Sequence, residues 1–241
     1  MFCVKASEDV CVRVLGLVSN THDSGVALVR DGHIECVLEE ERFNRTKRTK
    51  AFPAQALTAA IAAANLTADS IDAIVTPWDE RKLRRFLTSN LIKNFPASLN
   101  LMHARAHPAQ RNQIVLLSHY LNRDLKRHFG RKSLPKVIGV GHHDAHAASF
   151  FVSPFDEALV LVMDGYGDDG STSVYSGAGD RLTRHWHTSL FNSLGMIYTL
   201  TTQFLGFSGF ADEGKVMALA AFGDDRHVAR FRELIKLTGD G

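Results

Sequence analysis

The sequence predicts an α/β fold, and three observations support this prediction. Short apolar runs of strand length cluster in two blocks, near residues 12–40 and 137–188. Apolar residues between and after these blocks recur at the spacing of an amphipathic helix. The chain has 241 residues, of which 45% are apolar, which is enough for one large domain or two small ones with a buried core.

The first block indicates a β-meander. Its predicted strands cover residues 12–18, 25–29 and 33–38. Asp31-Gly32, between the second and the third strand, is typical of a two-residue hairpin turn. A helical apolar stripe after Pro53 predicts a helix over residues 54–64, and residues 71–75 have the composition of a buried strand.

From about residue 80 to residue 135 the sequence is polar, basic and helical in its pattern. Pro96 and Pro108 are breaks within it. We interpret this region as a helical insertion, after which strand-forming segments resume at Lys136.

The second block combines strands with helices. The predicted strands cover residues 137–140, 158–163, 172–176 and 184–188. One helix is predicted across the histidines that follow the first of these strands, and three more at residues 193–204, 213–221 and 225–237. The sequence stops at Gly241, directly after the last helix, and we expect a fold that is incomplete at its C-terminus.

Charge and cysteine content exclude several classes of protein. The 28 basic and 26 acidic residues give a net charge of +2, so we expect no nucleic-acid partner. Three cysteines without CxxC spacing form neither a disulfide framework nor a zinc ribbon, which favours a reducing cytoplasm. The sequence has no signal-type N-terminus and no run of about 18 apolar residues, so we expect no membrane association.

Residues 141–149, Gly-His-His-Asp-Ala-His-Ala-Ala-Ser, carry the clearest chemical signal. His142 and His146 are four residues apart, so that on a helix both imidazoles share a face and can reach one cation. Histidines that merely line a helix N-terminus have the same spacing, and both interpretations stay open. Asp164 is a candidate third ligand because it ends the apolar run 158–163, and open α/β sheets place ligand groups at strand C-termini.

Two polar turns between predicted strands are further candidates. Gly165 and Gly167 belong to a glycine-rich turn whose backbone N–H groups can approach a phosphate or an adenylate closely. An ordinary hairpin turn is the alternative. His22, in the turn 19–25, can act as a general base near neutral pH, and the alternative is an exposed loop histidine without a role.

Two charged segments also allow two interpretations each. The run from Glu39 to Arg48 mixes both signs of charge and forms either a solvated face or a site for phosphate or carbamoyl oxygens. The segment from Glu213 to Ala220 presents Glu213 and Lys215 near a glycine, or is simply the capped start of a core helix.

Taken together, these segments resemble the NodU/CmcH family, which includes the nodulation-factor, cephamycin and tobramycin O-carbamoyltransferases. The resemblance spans nearly the whole chain, and several ordered motifs are more specific than any single one. The motifs are His22-Asp-Ser24, Glu39-Glu-Glu-Arg42-Phe43, His142-His-Asp-Ala-His146-Ala-Ala-Ser149, Met163-Asp-Gly-Tyr-Gly167, Ser193-Leu-Gly195 and Glu213-Gly-Lys215-Val-Met217.

The resemblance implies a duplicated actin-like fold, the superfold of sugar kinases, heat-shock proteins and actin. Residues 12–135 would form the first subdomain, including the helical insertion at about 80–135. Residues 136–241 would form the start of a second, truncated subdomain. The YrdC-like C-terminal domain that normally follows in this family is absent from the sequence.

The resemblance also implies a chemistry. Carbamoyl phosphate and ATP give carbamoyl-adenylate, and the domain seen here passes the carbamoyl group to a hydroxyl of a small-molecule acceptor. By this similarity His142, His146 and Asp164 bind Fe²⁺ or another divalent metal. His22 is the base, Lys47 contacts the carbamoyl group, and Asp79 lies at the acceptor pocket. The family's fourth metal ligand would lie beyond Gly241, so we expect no complete turnover from this chain alone.

Two other functions on the same superfold compete with this one. A non-catalytic nucleotide-binding module would need no histidine metal site, and a sugar kinase would use an aspartate base and Mg²⁺. A metalloprotease is disfavoured because His143 stands where the HExxH motif has its glutamate. The expected partner is a small-molecule hydroxyl acceptor, and the assembly we consider is a homodimer.

Overall fold

A computed structural model of the chain describes residues 11–21, 23–97, 116–130 and 134–236. It has an α/β fold, as predicted. The chain divides into two compact units, residues 1–145 and 146–241, and the division falls inside a short helix. Among the helices of the described residues, none is both long enough and apolar enough to cross a membrane.

The first unit is built on a five-stranded mixed sheet. Its strands are β1 (Arg13–Val18), β2 (Gly25–Arg30), β3 (His33–Glu39), β4 (Ala73–Thr76) and β5 (Val137–Gly139), in the order β3-β2-β1-β4-β5. The first three form the predicted antiparallel meander, and β4 and β5 add to it in parallel with β1. Because β3 also runs parallel to β1, the C-terminal ends of these four strands meet at one edge of the sheet.

The core of this unit lies against one face of the sheet. Period-two alternation buries Leu15 and Leu17 of β1, and Leu28 of β2 pairs with Leu15. The predicted helix is present as α2 (Ala54–Ala64), which contacts β2 and β3. Its buried residues are Ala56, Leu57 and Ala60.

Local hydrogen bonding sets the ends of the strands. Asp31-Gly32 has φ angles of 50° and 82°, which confirms the predicted hairpin turn because that turn needs positive φ at both positions. The strand predicted at residues 71–75 begins two residues later, at Ala73. Reciprocal hydrogen bonds between Thr67 and Ser70 close a one-turn 3-10 helix just before it, and this helix delays the extended backbone.

A buried glutamate connects two helices of the first unit. The helix α1 (Glu40–Asn44) follows β3 directly. The carboxylate of Glu40 accepts hydrogen bonds from the backbone N–H groups of Gln55 at 3.3 Å and Ala56 at 2.8 Å. It therefore caps the N-terminus of α2, which has no side-chain cap of its own. The charged run 39–48 is thus not only a solvated face, because Glu40 within it is buried.

Glu80 has the same role in the basic region. It begins α3 (Glu80–Lys93), and its carboxylate binds Arg84 at 2.6 Å and accepts a hydrogen bond from the backbone N–H of Ser118. Ser118 lies in the first turn of α4 (Leu117–Phe129), which buries three leucines spaced four residues apart. Helices are therefore present at both described ends of this region. Pro96 follows α3, and the predicted break at Pro108 lies outside the described residues.

The second unit contains a three-stranded antiparallel sheet. The helix α5 (His142–Ala147) leads into it, and its strands are β6 (Glu157–Met163), β7 (Gly170–Ala178) and β8 (Arg181–Ser189). Ala147, Val162 and Tyr175 form a buried cluster on one face. The other face of β6 exposes its apolar side chains. The helices that follow are α6 (Leu194–Phe204), α7 (Glu213–Ala220) and α8 (Val228–Leu234).

The last helix is shorter than the predicted range 225–237. The carboxylate of Asp224 accepts a hydrogen bond from the backbone N–H of Arg226 at 3.1 Å and also binds its guanidinium group. The Val228 N–H donates to the Asp225 carbonyl, three residues back, at 3.0 Å. The first bond with α-helical spacing runs from the Phe231 N–H to the His227 carbonyl at 3.1 Å, so α8 begins at Val228. Residues 237–241 lie outside the described part of the chain.

Candidate metal centre

His142 and His146 lie on one helix, as the four-residue spacing predicted. The strand β5 ends at Gly139, and Val140 still donates its N–H to the carbonyl of Thr76 at 2.9 Å. The helix α5 then begins at His142, and its first turn closes with the Ala145 N–H donating to the Gly141 carbonyl at 2.8 Å. One helical turn separates the two imidazoles, which places them on the same face.

The ring of His142 is held on two sides. Its Nδ1 lies 3.0 Å from the carbonyl oxygen of Pro77, and its ring stacks on the indole of Trp78 with 4.0 Å between ring centroids. A carbonyl can only accept, so the hydrogen bond assigns the proton to Nδ1 and leaves the lone pair on Nε2. In this tautomer a histidine binds a metal through Nε2.

A close ion pair fixes the start of the helix. The Lys82 ammonium group lies 3.1 Å from the carboxylate of Asp144. The Lys82 ammonium group and the Asp144 carboxylate both lie close to Gly141, where a Cβ atom would collide with each of them. A Cβ atom at residue 141 would have to displace the ends of both side chains and so disturb the ion pair that ties α5 to the N-terminal turn of α3.

Asp164 follows β6 directly and faces His146. One carboxylate oxygen of Asp164 lies 3.5 Å from Nε2 of His146. The turn is fixed by the Asp164 N–H, which donates to the Ser171 carbonyl at 2.9 Å, and by the Gly165 N–H, which donates to the other carboxylate oxygen at 2.6 Å. The side chain of His146 is 54% exposed and that of Asp164 is 37% exposed, so solvent can reach this pair.

The ligand atoms of His142, His146 and Asp164 all lie within 4.8 Å of one another. Two imidazole nitrogens and one carboxylate oxygen are a donor set that suits divalent transition metals, with positions left for other ligands. The tautomer of His142 and the exposure of the pair fit such a metal. The three residues that the sequence singled out are therefore brought together as a candidate metal centre.

The other predicted site residues have different surroundings. His22 lies outside the described residues. Lys47 is exposed in a turn after α1. The loop that contains this turn is tied to the sheet edge because Ser24 donates its N–H to the Thr49 carbonyl at 3.1 Å. The roles of His22 and Lys47 stay predictions.

Asp79 and the two glycines take part in local backbone structure. The carboxylate of Asp79 caps α3 by accepting the N–H groups of Arg81 at 2.9 Å and Lys82 at 3.3 Å. The N–H of Gly167 donates to the carbonyl of Gly170 at 2.7 Å, and the turn joins β6 to β7. The carbonyl of Gly165 accepts a hydrogen bond from the Ser193 hydroxyl at 2.6 Å. Substrate or phosphate binding by these residues stays a prediction.

Sequence reasoning missed the groups that support the ligands. Trp78 and the Pro77 carbonyl follow β4, the parallel neighbour of β5, and strand adjacency is the signal that links them to His142. Tyr166 packs edge-on against Phe210 with 6.0 Å between ring centroids. Burial and the nearby Asp164 carboxylate raise the pKa of Tyr166, so its hydroxyl stays protonated at neutral pH.

Fold and site together define an α/β domain that carries a candidate centre for a divalent metal. The family comparison is more specific. The chain belongs to the carbamoyltransferase N-terminus family, which it matches over residues 13–239.

Relatives of this chain include longer proteins. It is 36% identical over 238 residues to an uncharacterized protein of Synechocystis sp., covering 95% of this chain and 38% of that protein. It is 31% identical over 227 residues to the nodulation protein NolNO of Sinorhizobium fredii, covering 91% of this chain and 31% of NolNO. The chain thus spans between 31% and 38% of the length of these two relatives.

A likeness to a solved structure is much weaker. The PPX-GPPA enzyme of Aquifex aeolicus aligns with 80% of this chain and 56% of its own, at 16% identity and a TM-score of 0.33. A likeness at this level carries no argument about architecture. The duplicated actin-like arrangement and its subdomain boundaries therefore stay predictions.

Proposed function

We propose that this chain is the carbamoyl-transfer part of an O-carbamoyltransferase whose metal centre is His142, His146 and Asp164. The observation that carries the proposal is the approach of these three ligand atoms to within 4.8 Å of one another, in a chain that belongs to the carbamoyltransferase N-terminus family. We infer Fe²⁺ as the metal, a small-molecule hydroxyl compound as the acceptor, and the cytoplasm as the location.

The proposed reaction moves a carbamoyl group from carbamoyl-adenylate, made from carbamoyl phosphate and ATP, to the acceptor. A bond forms between the acceptor oxygen and the carbamoyl carbon, and the bond from that carbon to the phosphate oxygen breaks, so that AMP leaves. His22 takes the hydroxyl proton, Lys47 holds the carbamoyl oxygen, and Asp79 orients the acceptor. His142, His146 and Asp164 would hold a divalent metal, whose positive charge would stabilise the phosphate oxygens and polarise the carbamoyl carbonyl.

The geometry of the described ligands suits this role. The Pro77 carbonyl and the Trp78 indole hold His142, while His146 and Asp164 stay open to solvent and hence to a substrate. The N–H groups of Gly165 and Gly167 bond to the Asp164 carboxylate and to the Gly170 carbonyl, so binding a phosphate through them would require an exchange of these partners.

The first experiment measures the binding of Fe²⁺ under anaerobic conditions. The His142→Ala/His146→Ala double variant is compared with the unchanged chain and with a His185→Ala/His187→Ala control. The control removes two exposed histidines from β8 and leaves the centre intact. We expect the first variant to lose affinity by more than about 100-fold, because it removes two ligands, and the control to bind normally.

A second measurement separates the transferase from its competitors. The chain is incubated with ATP, carbamoyl phosphate and a panel of hydroxyl compounds, with the C-terminal half of a relative added, and products are identified by mass spectrometry. Carbamoylated product that requires Fe²⁺ supports the proposal. Phosphorylated product that requires Mg²⁺ identifies a sugar kinase, and equal Fe²⁺ binding by the double variant overturns the metal centre.

A further inference from the structure

The segment from Pro77 to Asp79 connects β4 to α3 and lies beside the start of α5. The strands β4 and β5 pair in parallel, with Thr76 opposite Gly139. The residues that follow the two strands are therefore neighbours. Packing between them is tight, because a Cβ atom at Gly139 would collide with the carbonyl of Trp78.

Trp78 is the residue of this segment whose side chain stacks on the His142 ring. The two rings are nearly parallel, with an angle of 23° between their planes and 4.0 Å between centroids. Trp78 is 5% exposed, so the indole itself has little freedom to move. Together with the hydrogen bond from His142 Nδ1 to the Pro77 carbonyl, the stack restrains the rotation of the imidazole about its side-chain bonds.

Two contacts restrain the backbone on either side of the stack. The Asp79 carboxylate caps α3 directly after Trp78, and Lys82 in the first turn of α3 binds Asp144 in α5. The indole directly precedes α3 and the imidazole belongs to α5, and the ion pair connects these two helices. A flat ring on such a frame defines one orientation for the Nε2 lone pair of His142.

We propose that Trp78 is a positioning residue, which aims Nε2 of His142 at the metal by stacking on the imidazole ring. The inference rests on the proposed function, in that it needs a metal at this centre. A ligand that is already oriented loses less conformational freedom on binding, so the stack increases metal affinity without touching the ion. Trp78 acts through His142 and has no direct part in the reaction.

The test compares Trp78→Phe, which keeps an aromatic face, with Trp78→Leu and Trp78→Met, which remove it. Co²⁺ is the probe, because its visible absorption reports ligand geometry as well as affinity. The control is Trp186→Leu, at the other of the two tryptophans. We expect Trp78→Leu and Trp78→Met to weaken Co²⁺ binding by about 10- to 100-fold and to change the spectrum. Trp78→Phe should recover most of the affinity.

A measurement on the metal-free chain helps to distinguish a failure of the positioning role from a failure of the metal centre. In NMR spectra of the metal-free chain, the ring protons of His142 should be shifted upfield by the indole and lose that shift in Trp78→Leu. If folded Trp78→Leu or Trp78→Met binds Co²⁺ like the unchanged chain, with the same spectrum, the positioning role is wrong and the metal centre stands. If the unchanged chain itself binds no Co²⁺ and no Fe²⁺, the proposed function and the positioning role both fail.

Discussion

The two units begin alike and differ in how their apolar strands are covered. Each contains an antiparallel meander, β1-β2-β3 in the first and β6-β7-β8 in the second. In the first unit β1 lies inside the sheet between β2 and β4, and Leu28 beside it is 0% exposed. In the second unit β6 is at the edge of the described sheet, and Leu159 and Leu161 are 75% and 59% exposed.

This difference separates two properties of a strand: which side chains share a face, and whether that face is buried. Alternation decides which side chains share a face of a strand, and it holds in both units. Burial requires a second layer over that face, which α2 provides in the first unit through Ala56, Leu57 and Ala60. Leucines of the same type on the same kind of strand should therefore differ in what they contribute to stability.

The largest expected effect compares leucines of the two sheets. Leu28→Ala should lower the free energy of unfolding by about 2 to 5 kcal/mol, because it leaves a cavity under α2. Leu161→Ala should lower it by about 0.5 kcal/mol or less, since the side chain is already exposed. Urea denaturation followed by circular dichroism measures both, and equal losses would show that Leu161 is covered in solution.

A second comparison concerns glutamates that bind backbone N–H groups. Glu40→Gln should cost about 1 to 3 kcal/mol, because it leaves a buried N–H at the start of α2 poorly satisfied. Glu213 binds the Thr199 hydroxyl at 2.9 Å and the Phe210 N–H at 2.5 Å but is only half-buried. We therefore expect a smaller loss for Glu213→Gln, again by urea denaturation.

Glu39→Gln is the matched control for this comparison. Glu39 is adjacent to Glu40 in the sequence but exposed, and it pairs with Arg42 at 3.1 Å. Its substitution should change stability by less than about 0.5 kcal/mol. A loss as large as that of Glu40→Gln would mean that the net charge of the segment, and not the cap, stabilises the fold.

The contribution of a helix cap to stability should be the same in both units, whether or not the apolar strands of the unit are covered. Asp79 caps α3, and Ser193 caps α6 by accepting the Met196 N–H at 3.0 Å. The lost cap should cost about 1 kcal/mol in Asp79→Ala and in Ser193→Ala, because a cap is a local interaction. The total loss should be larger for Ser193→Ala, which also removes the hydrogen bond from the buried Ser193 hydroxyl to the Gly165 carbonyl. Thermal unfolding measures both.

Asp79→Ser should restore stability, since serine also caps helices well. It also tests the predicted role of Asp79 in acceptor binding. If that role is real, Asp79→Ser still weakens acceptor binding although the helix is capped. A fully functional Asp79→Ser variant would assign the carboxylate to the cap alone.

The smallest expected effect is a pH dependence at a turn. The backbone N–H of Val12 donates to the Asp31 carboxylate at 2.8 Å and holds the pKa of that carboxyl below its ordinary value. Its contribution to stability is therefore fully present above the ordinary carboxyl pKa and is lost as the pH falls through the lower folded pKa. Asp31→Asn should remove this dependence, while asparagine still tolerates the positive φ of the turn.

Carboxyl titration by NMR compares the pKa of Asp31, in the first unit, with that of Asp224, in the second. The hydrogen bonds from Arg226 lower the pKa of Asp224 in the same direction. Asp31 and Asp224 should both titrate below an ordinary aspartate, in either unit. A normal titration of Asp31 would show that its bond to Val12 does not persist in solution.

Most of the secondary structure could be predicted because it depends on local patterns. The meander 12–38, its Asp31-Gly32 turn and the helix at 54–64 follow from periodicity and turn chemistry, and the structure confirms them. The helix α1 was missed because Glu40 and Glu41 resemble a solvated charge run. Only the tertiary contact with α2 shows that Glu40 is buried.

The candidate site was predictable to a similar extent. The spacing of His142 and His146 places both on one face of a helix, and the end of an apolar strand indicates Asp164. Trp78 and Pro77 could not be assigned in the same way. Their contact with His142 spans about 65 residues of sequence and exists only because β4 and β5 are parallel neighbours.

The sequence by itself determined the strands, the hairpin turn, the main helices and the three candidate ligands. It did so because period, capping and spacing are properties of a few consecutive residues. The tertiary structure alone decided that the three ligand atoms meet within 4.8 Å, that Pro77 and Trp78 contact His142, and that Leu28 is buried while Leu161 is exposed. Each of these depends on which distant segment of the chain packs against the residue, and local patterns do not encode that choice.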